Sequence, residues 1–394
     1  MKTLKDLNLV NTRVILRCDF NDIFDRSGKI ADDFRIKKVL PTLQHLLASN
    51  AKIVIIGSAQ KIFNDNSLLS EQEIAKIFDF SVIATYLSNV LQRPVKYLND
   101  ITVANVSSDV LTMQPKDIIL LGNFVLQIKE IEKNMEFAQK IALTAEVFVN
   151  EAFSLSHSDY ATICHLPKLL PSVPGLAFEK ELEELSKVTL NPKKPLVAIM
   201  GGTNLAARID AIERLTKIAD HVLIGGDIAN VVLAAKKISM GKFIMDPFLE
   251  NISKKVNLTD LNIHLPIDGV VSLNTIDDGY MHISAIGKVR KEEQCYDIGP
   301  ETINLFSDII KTANTIFWSG SMGMFEREKF ANGTLEIAKV IAQSNAIKIA
   351  AGRKTIAFLK LHNLIDKFSF VSAGELSALK FLAGQRLEGV EALE

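Results

Sequence analysis

Cysteine is scarce. Cys18, Cys164 and Cys295 are odd in number and widely spaced, with no CxxC and no Cys/His metal spacing. That excludes a disulfide framework and leaves reduced, buried thiols as the expectation. An excess of charge of either sign is also lacking, since 45 basic residues stand against 46 acidic ones. No global field therefore draws the chain to nucleic acid or to an anionic membrane, and any anion site has to be local. No apolar run approaches the length that crosses a bilayer, and MKTLKDLNLV lacks the apolar core of a signal peptide. The expected compartment is the cytoplasm, with neither nucleic acid nor membrane as a partner. There is no short-period repeat or low-complexity tract, which removes solenoids and disordered tails. Neither nucleotide fingerprint is present: GxGxxG is absent, and GRKT at 352 to 355 lacks the upstream glycine and the Gly-Lys adjacency of a P-loop.

A chain of 394 residues exceeds one ordinary core, and the length favours two domains. Short apolar runs alternate with helical-length segments: RVILRCDF, AKIVIIG, DIILLG and EVFVNEAF, then PLVAIMGG, HVLIGGD, NTIFWSG and IKIAAG. Such runs predict strands buried on both faces, hence an α/β protein of two doubly wound, Rossmann-like parallel-sheet lobes. Between them, prolines bracket one charged helix at 176 to 188, a connector. The expected boundaries are 1 to 172 for the first lobe, 173 to 192 for the connecting helix and hinge, and 193 to 394 for the second lobe, with the last residues able to pack back on the first.

In the second half the strands run into glycines that open helices, the place where open α/β sheets bind ligands. KIAAGRKTIAF, at 348 to 358, is such a strand, small-residue turn and helix, and its Arg353 and Lys354 add positive charge. Each feature also has a plainer meaning. Strand-end glycines serve to turn the chain, Arg353 and Lys354 can be a solvated face, and His157 alone reads as a satisfied histidine. Asp19, Asn21 and Arg35 suit a structural ion pair and cap as well as a site.

Taken together the motifs resemble the phosphoglycerate kinase family, nearly end to end. They are RCDFN at 17 to 21, DDFRI at 32 to 36, NEAF at 150 to 153 with nearby His157, LPSVPG at 170 to 175, GGDIA at 225 to 229, LPID at 265 to 268, DIGPET at 297 to 302 and MGMFE at 322 to 326. The resemblance implies that family's fold, an N-terminal lobe for the acyl substrate, a C-terminal lobe for Mg-nucleotide, and hinge closure. It implies the glycolytic transfer of the γ-phosphoryl of ATP to 3-phosphoglycerate, in which basic side chains and the metal supply the charge stabilisation.

Carried over by position, Asp19, Asn21, Arg35, Lys61 and His157 bind the acyl substrate. Gly201, Gly202, Arg208, Gly225, Gly226, Pro266, Glu326, Gly352, Arg353 and Lys354 line the nucleotide site, with Glu326 at the ribose. Arg35 and Arg208 are the catalytic cations. The chain also departs from the family. Ser58 stands at a family histidine, Lys61, Val125 and Ser158 at arginines, and Asn204 at a lysine. Arg353 stands at the aspartate that serves the metal, and Glu375 and Leu376 in the glycine-rich phosphate loop. Loss of two arginines costs about 3 to 6 kcal/mol of phosphate binding where nothing replaces them. A phosphoglycerate kinase of severely impaired activity is expected, or alternatively a non-catalytic module that binds nucleotide or protein. Whether it is an enzyme stays open. The expected ligands are a phosphorylated small molecule and ATP or ADP, with Mg²⁺ disfavoured and the protein a monomer.

Overall fold

The computed structural model describes residues 2–60, 71–99, 108–243, 247–257, 260–275 and 280–394. The chain divides into two compact units, Met1–Glu181 with Arg386–Glu394, and Leu182–Gln385.

In the first unit six strands form one parallel sheet in the order β3-β4-β2-β1-β5-β6. They are β1 (Arg13–Asp19), β2 (Lys52–Ser58), β3 (Val95–Leu98), β4 (Ile118–Asn123), β5 (Val147–Asn150) and β6 (Ser172–Pro174). The apolar runs of β1, β2, β4 and β5 are near-continuous because both faces are covered. Val14, Leu16, Cys18, Ile53, Ile55 and Leu120 pack into one core, while Ile15, Val54, Ile56, Ile119 and Leu121 pack into another. The period of two along a strand sends alternate residues to opposite faces, and helices such as Phe34–Ala48 and Met135–Ala142 close them.

The second unit repeats the plan. Strands β7 (Leu196–Met200), β8 (His221–Ile224), β9 (Ile263–His264), β13 (Thr315–Ser319), β14 (Ile347–Ala351) and β15 (Phe370–Ser372) run parallel in the order β15-β14-β13-β7-β8-β9. A separate antiparallel sheet, β11-β10-β12, comes from β10 (Asp268–Ser272), β11 (Met281–Ala285) and β12 (Gln294–Ile298). The apolar runs in the sequence do not announce that sheet, because β11 is largely exposed and carries no continuous apolar stretch. The connecting helix spans Leu176–Thr189, one residue past its expected end. Buried Glu151 caps its first turn, accepting from Ala177 N at 3.1 Å and Phe178 N at 2.9 Å. Among the described residues no helix is long and apolar enough to cross a membrane.

Four adjacent strands, β14, β13, β7 and β8, lead into turns that hold Gly352, Gly320, Gly202 and Gly226, all at positive φ. At Gly226 the requirement is also steric, since a Cβ would stand 2.6 Å from Ser321 O and 2.7 Å from Gly202 N. The turns after β7, β8 and β13 therefore interlock through backbone. Gly202 N donates to Ser321 O at 2.8 Å and Gly226 N to Met322 O at 3.0 Å.

Candidate active site in two parts

The carboxyl ends of β7, β8 and β13 open onto a cavity of about 280 Å³ in the second unit. Gly202, Gly226, Pro266, Glu326 and Lys354 line it. Gly201 and Gly225 do not line it. A Cβ on either would meet Met322 or Ser321, so they are the close-packed floor beneath that wall.

Arg208, Gly352 and Arg353 likewise stand outside the cavity lining, at its β14 side. The Arg208 guanidinium lies 3.7 Å from the Cβ position of Gly202 and 4.0 Å from that of Gly352. Its Nη1 donates to Asn204 O at 3.3 Å, and its Nε is buried with no hydrogen-bond partner among the described residues. Burial pushes its pKa down from the usual arginine value, and among the described residues no carboxylate offsets that. Ser319 Oγ is also buried without a partner among the described residues and lies 3.3 Å from the Cβ position of Gly352. Two orphaned polar groups thus flank one glycine turn, a polar setting that suits an oxyanion.

Glu326 and Lys354, assigned by the resemblance to the ribose and to the nucleotide site, bind each other. Lys354 Nζ donates to Glu326 Oε1 at 2.6 Å, and both side chains are about half exposed. Arg353 opens the helix Arg353–Leu361 and is exposed. The residues here do not fit a protein-held divalent cation. The turn after β14 offers a guanidinium and an ammonium, and among the described residues no group of three His, Cys, Asp or Glu is placed to hold a metal.

Several wall residues were not singled out in the sequence. Asp227, Asn230, Cys295 and Asp297 all line the cavity. Asp297 accepts from Gly333 N at 2.7 Å and from Ile298 N at 2.9 Å, and burial raises its carboxyl to about 7. Burial raises the Cys295 thiol to about 12, so it is not a nucleophile. The signal for Asp227 was present in GGDIA, a carboxylate directly after the glycine pair, with Asn230 one helical turn on.

In the first unit Asp19 ends β1 and is buried. Its Oδ2 accepts from Arg35 and from Ser154, and its Oδ1 from Asn21 N at 2.9 Å. Asn21 Oδ1 is taken by Gln60 N at 2.9 Å, which ties the turns after β1 and β2. These three residues are brought together, but in bonds to protein. Asn123 makes a matching tie, giving to Ala59 O at 2.7 Å and accepting from Ala59 N at 3.0 Å. Ser58 is buried and accepts from Arg17 Nη2 at 2.7 Å; Arg17 is fully buried and also reaches Thr162 Oγ1 at 2.8 Å and Glu130 at 3.4 Å. His157 and Ser158 are half-buried on the segment after β5, and Val125 is half-buried after β4. Lys61 lies outside the described residues.

The chain is thus an α/β protein of two parallel-sheet lobes whose second lobe carries a glycine-floored cavity at its strand ends. The family model "Phosphoglycerate kinase" matches residues 4–385. The phosphoglycerate kinase of Desulfosudis oleivorans is 32% identical over 399 residues, covering 100% of this chain and 99% of that protein. That of Dictyoglomus turgidum is 34% identical, covering 99% and 98%. Among solved structures, phosphoglycerate kinase from Coxiella burnetii superposes with a TM-score of 0.84 at 30% identity, covering 100% and 98%. The enzyme from Pyrococcus horikoshii gives 0.85 at 27% identity with the same coverage. The chain belongs to the phosphoglycerate kinase family.

Proposed function

We propose that this chain is a nucleotide-binding member of the family in which the reaction ATP + 3-phosphoglycerate = ADP + 1,3-bisphosphoglycerate is severely impaired. The observation that carries the nucleotide half is the pair of orphaned buried groups, Arg208 Nε and Ser319 Oγ, beside the Gly352 turn. They supply charge and a hydroxyl where a phosphate would meet backbone amides of the turn. Lys354 adds a second cation, once it leaves Glu326.

The acyl half supports impairment. Phosphoryl transfer depends on positioned charge around the moving oxygens. Arg35 is already engaged by Asp19, and Val125 and Ser158 offer no cation at the arginine positions. Loss of two charge-assisted contacts weakens binding by about two to four decades. A non-catalytic, nucleotide-binding or protein-interaction role is the second reading. The Lys354–Glu326 ion pair favours it, because that contact commits a ribose-side carboxylate to the protein itself. The expected setting is a cytoplasmic monomer.

Calorimetric titration tests both halves. ADP should bind in the presence of a chelator, and 3-phosphoglycerate should give no saturable heat at concentrations that saturate a working relative. Tight binding of 3-phosphoglycerate would overturn the impairment, and failure of every nucleotide tried would overturn the pocket.

A further inference from the structure

One carboxylate on the cavity wall is left with little to do. Asp227 stands in the first turn of the helix Gly226–Ala235 and lines the cavity. Its hydrogen bond among the described residues comes from Asn230 Nδ2, at a long 3.3 Å, and the same amide reaches Cys295 O at 3.0 Å. No Lys, Arg or His among the described residues forms an ion pair with it. Of the other acids on the wall, Asp297 is satisfied by two backbone amides and Glu326 is bonded to Lys354. A carboxylate offers about four acceptor positions, so Asp227 keeps acceptor capacity facing the cavity.

Its place in the sheet says which part of a ligand it meets. Ser319 ends β13, Lys354 follows β14 and the Arg208 guanidinium lies between the Gly202 and Gly352 turns, whereas Asp227 follows β8. The strand order β14-β13-β7-β8 puts roughly 14 Å, three strand spacings, between β14 and β8. A nucleotide whose phosphates sat at the β14 turn and whose body filled the cavity would present its base toward Asp227.

We propose that this cavity selects guanine over adenine, with Asp227 as the residue that reads the base. Guanine carries N1–H and N2–H₂ side by side, two donors matched to the two oxygens of one carboxylate. Adenine presents one amino donor flanked by ring nitrogens whose lone pairs face the carboxylate. A site built to accept hydrogen bonds rejects a ligand that lacks the donors, because its own polar group is then buried unpaired. This inference rests on reading the cavity as a nucleotide site.

The test is a titration series on the full chain with GDP, IDP and ADP, in chelator. IDP keeps N1–H and lacks the amino group, so the expected order is GDP tightest, IDP intermediate and ADP weakest, with GDP about tenfold or more tighter than ADP. Asp227→Asn should weaken GDP by about tenfold or more and leave ADP within about threefold. If that variant does not fold, the series on the unmodified chain decides. ADP binding as tightly as GDP, or an Asp227→Asn protein that keeps its GDP affinity, overturns guanine selection while the nucleotide site stands. No binding of any of the three overturns both.

Discussion

At the scale of single residues, the substitutions differ in what the structure makes of them. Ser58 has been absorbed into the protein, as a buried partner of Arg17. Removing that hydroxyl leaves a guanidinium donor short inside the core, so Ser58→Ala should destabilise the chain by about 1 to 3 kcal/mol in denaturant unfolding. An unchanged midpoint would show that Arg17 does not depend on it. Glu375 is strained instead. It opens the helix Glu375–Leu382 with φ +44°, in the left-handed region that disfavours a Cβ. Glu375→Gly should raise stability by about 1 kcal/mol, read from the unfolding midpoint. A loss would mean that the glutamate side chain contributes more than the backbone costs.

At the scale of elements, the proposed nucleotide site puts the helix Arg353–Leu361 where metal and nucleotide would meet. The helix's first two side chains are cations next to the Gly352 turn, and on the proposed nucleotide reading Mg²⁺ would compete with them for phosphate oxygens. Nucleotide affinity should therefore be unchanged or weakened by Mg²⁺. The double change Arg353→Asp and Lys354→Thr should make Mg²⁺ favourable, and should not restore turnover while Val125, Ser158, Asn204 and the Glu375–Leu376 pair remain. Isothermal titration with and without Mg²⁺ reads both; tighter binding of nucleotide by the unmodified chain with Mg²⁺ would refute the competition.

Elements were also where the sequence was most legible. β1, β2, β4, β5, β7, β8, β13 and β14 coincide with near-continuous apolar runs, because burial on both faces favours apolar residues at most positions, with Arg17 of β1 a buried exception held by Ser58, Thr162 and Glu130. β3, β6, β9 and β15 are two to four residues long, too short to show a period. The site was less legible. Gly226, Glu326 and Lys354 could be placed by motif, but the Lys354–Glu326 bond joins residues 28 apart and depends on how two strand ends meet. Asp227 was visible as a residue and not as a wall, since its lack of a cation partner is a property of the folded surroundings.

For the whole molecule, buried titratable groups set the pH dependence of stability. Glu151 and Asp297 each have a carboxyl raised to about 7, above the unfolded values of 4.5 and 3.8, chiefly by burial. The native state thus holds their protons more tightly than the unfolded chain. Their contribution is present in full below about pH 4 and is lost as pH rises toward and past 7. His264 acts oppositely. Burial and the neighbouring His221, 3.0 Å away, lower its pKa below 6.5, and stability from that pair is lost as pH falls below that value. Two acids outweigh one histidine, so unfolding by denaturant should show lower stability at pH 8 than at pH 6. Glu151→Gln with Asp297→Asn should flatten that slope by roughly 1 to 3 kcal/mol per group. A stability curve that rises from pH 6 to pH 8 would contradict the sign.

The central claim is that this chain keeps the family's fold and a nucleotide cavity while its phosphoryl-transfer site has been dismantled. The most direct measurement is a coupled assay of 1,3-bisphosphoglycerate formation from 3-phosphoglycerate, with ATP or GTP and Mg²⁺, against a working member of the family. Turnover reduced by about two decades or more is the expected result. Robust Mg²⁺-dependent turnover with either nucleotide would show that the substituted cations suffice, and the account would be wrong.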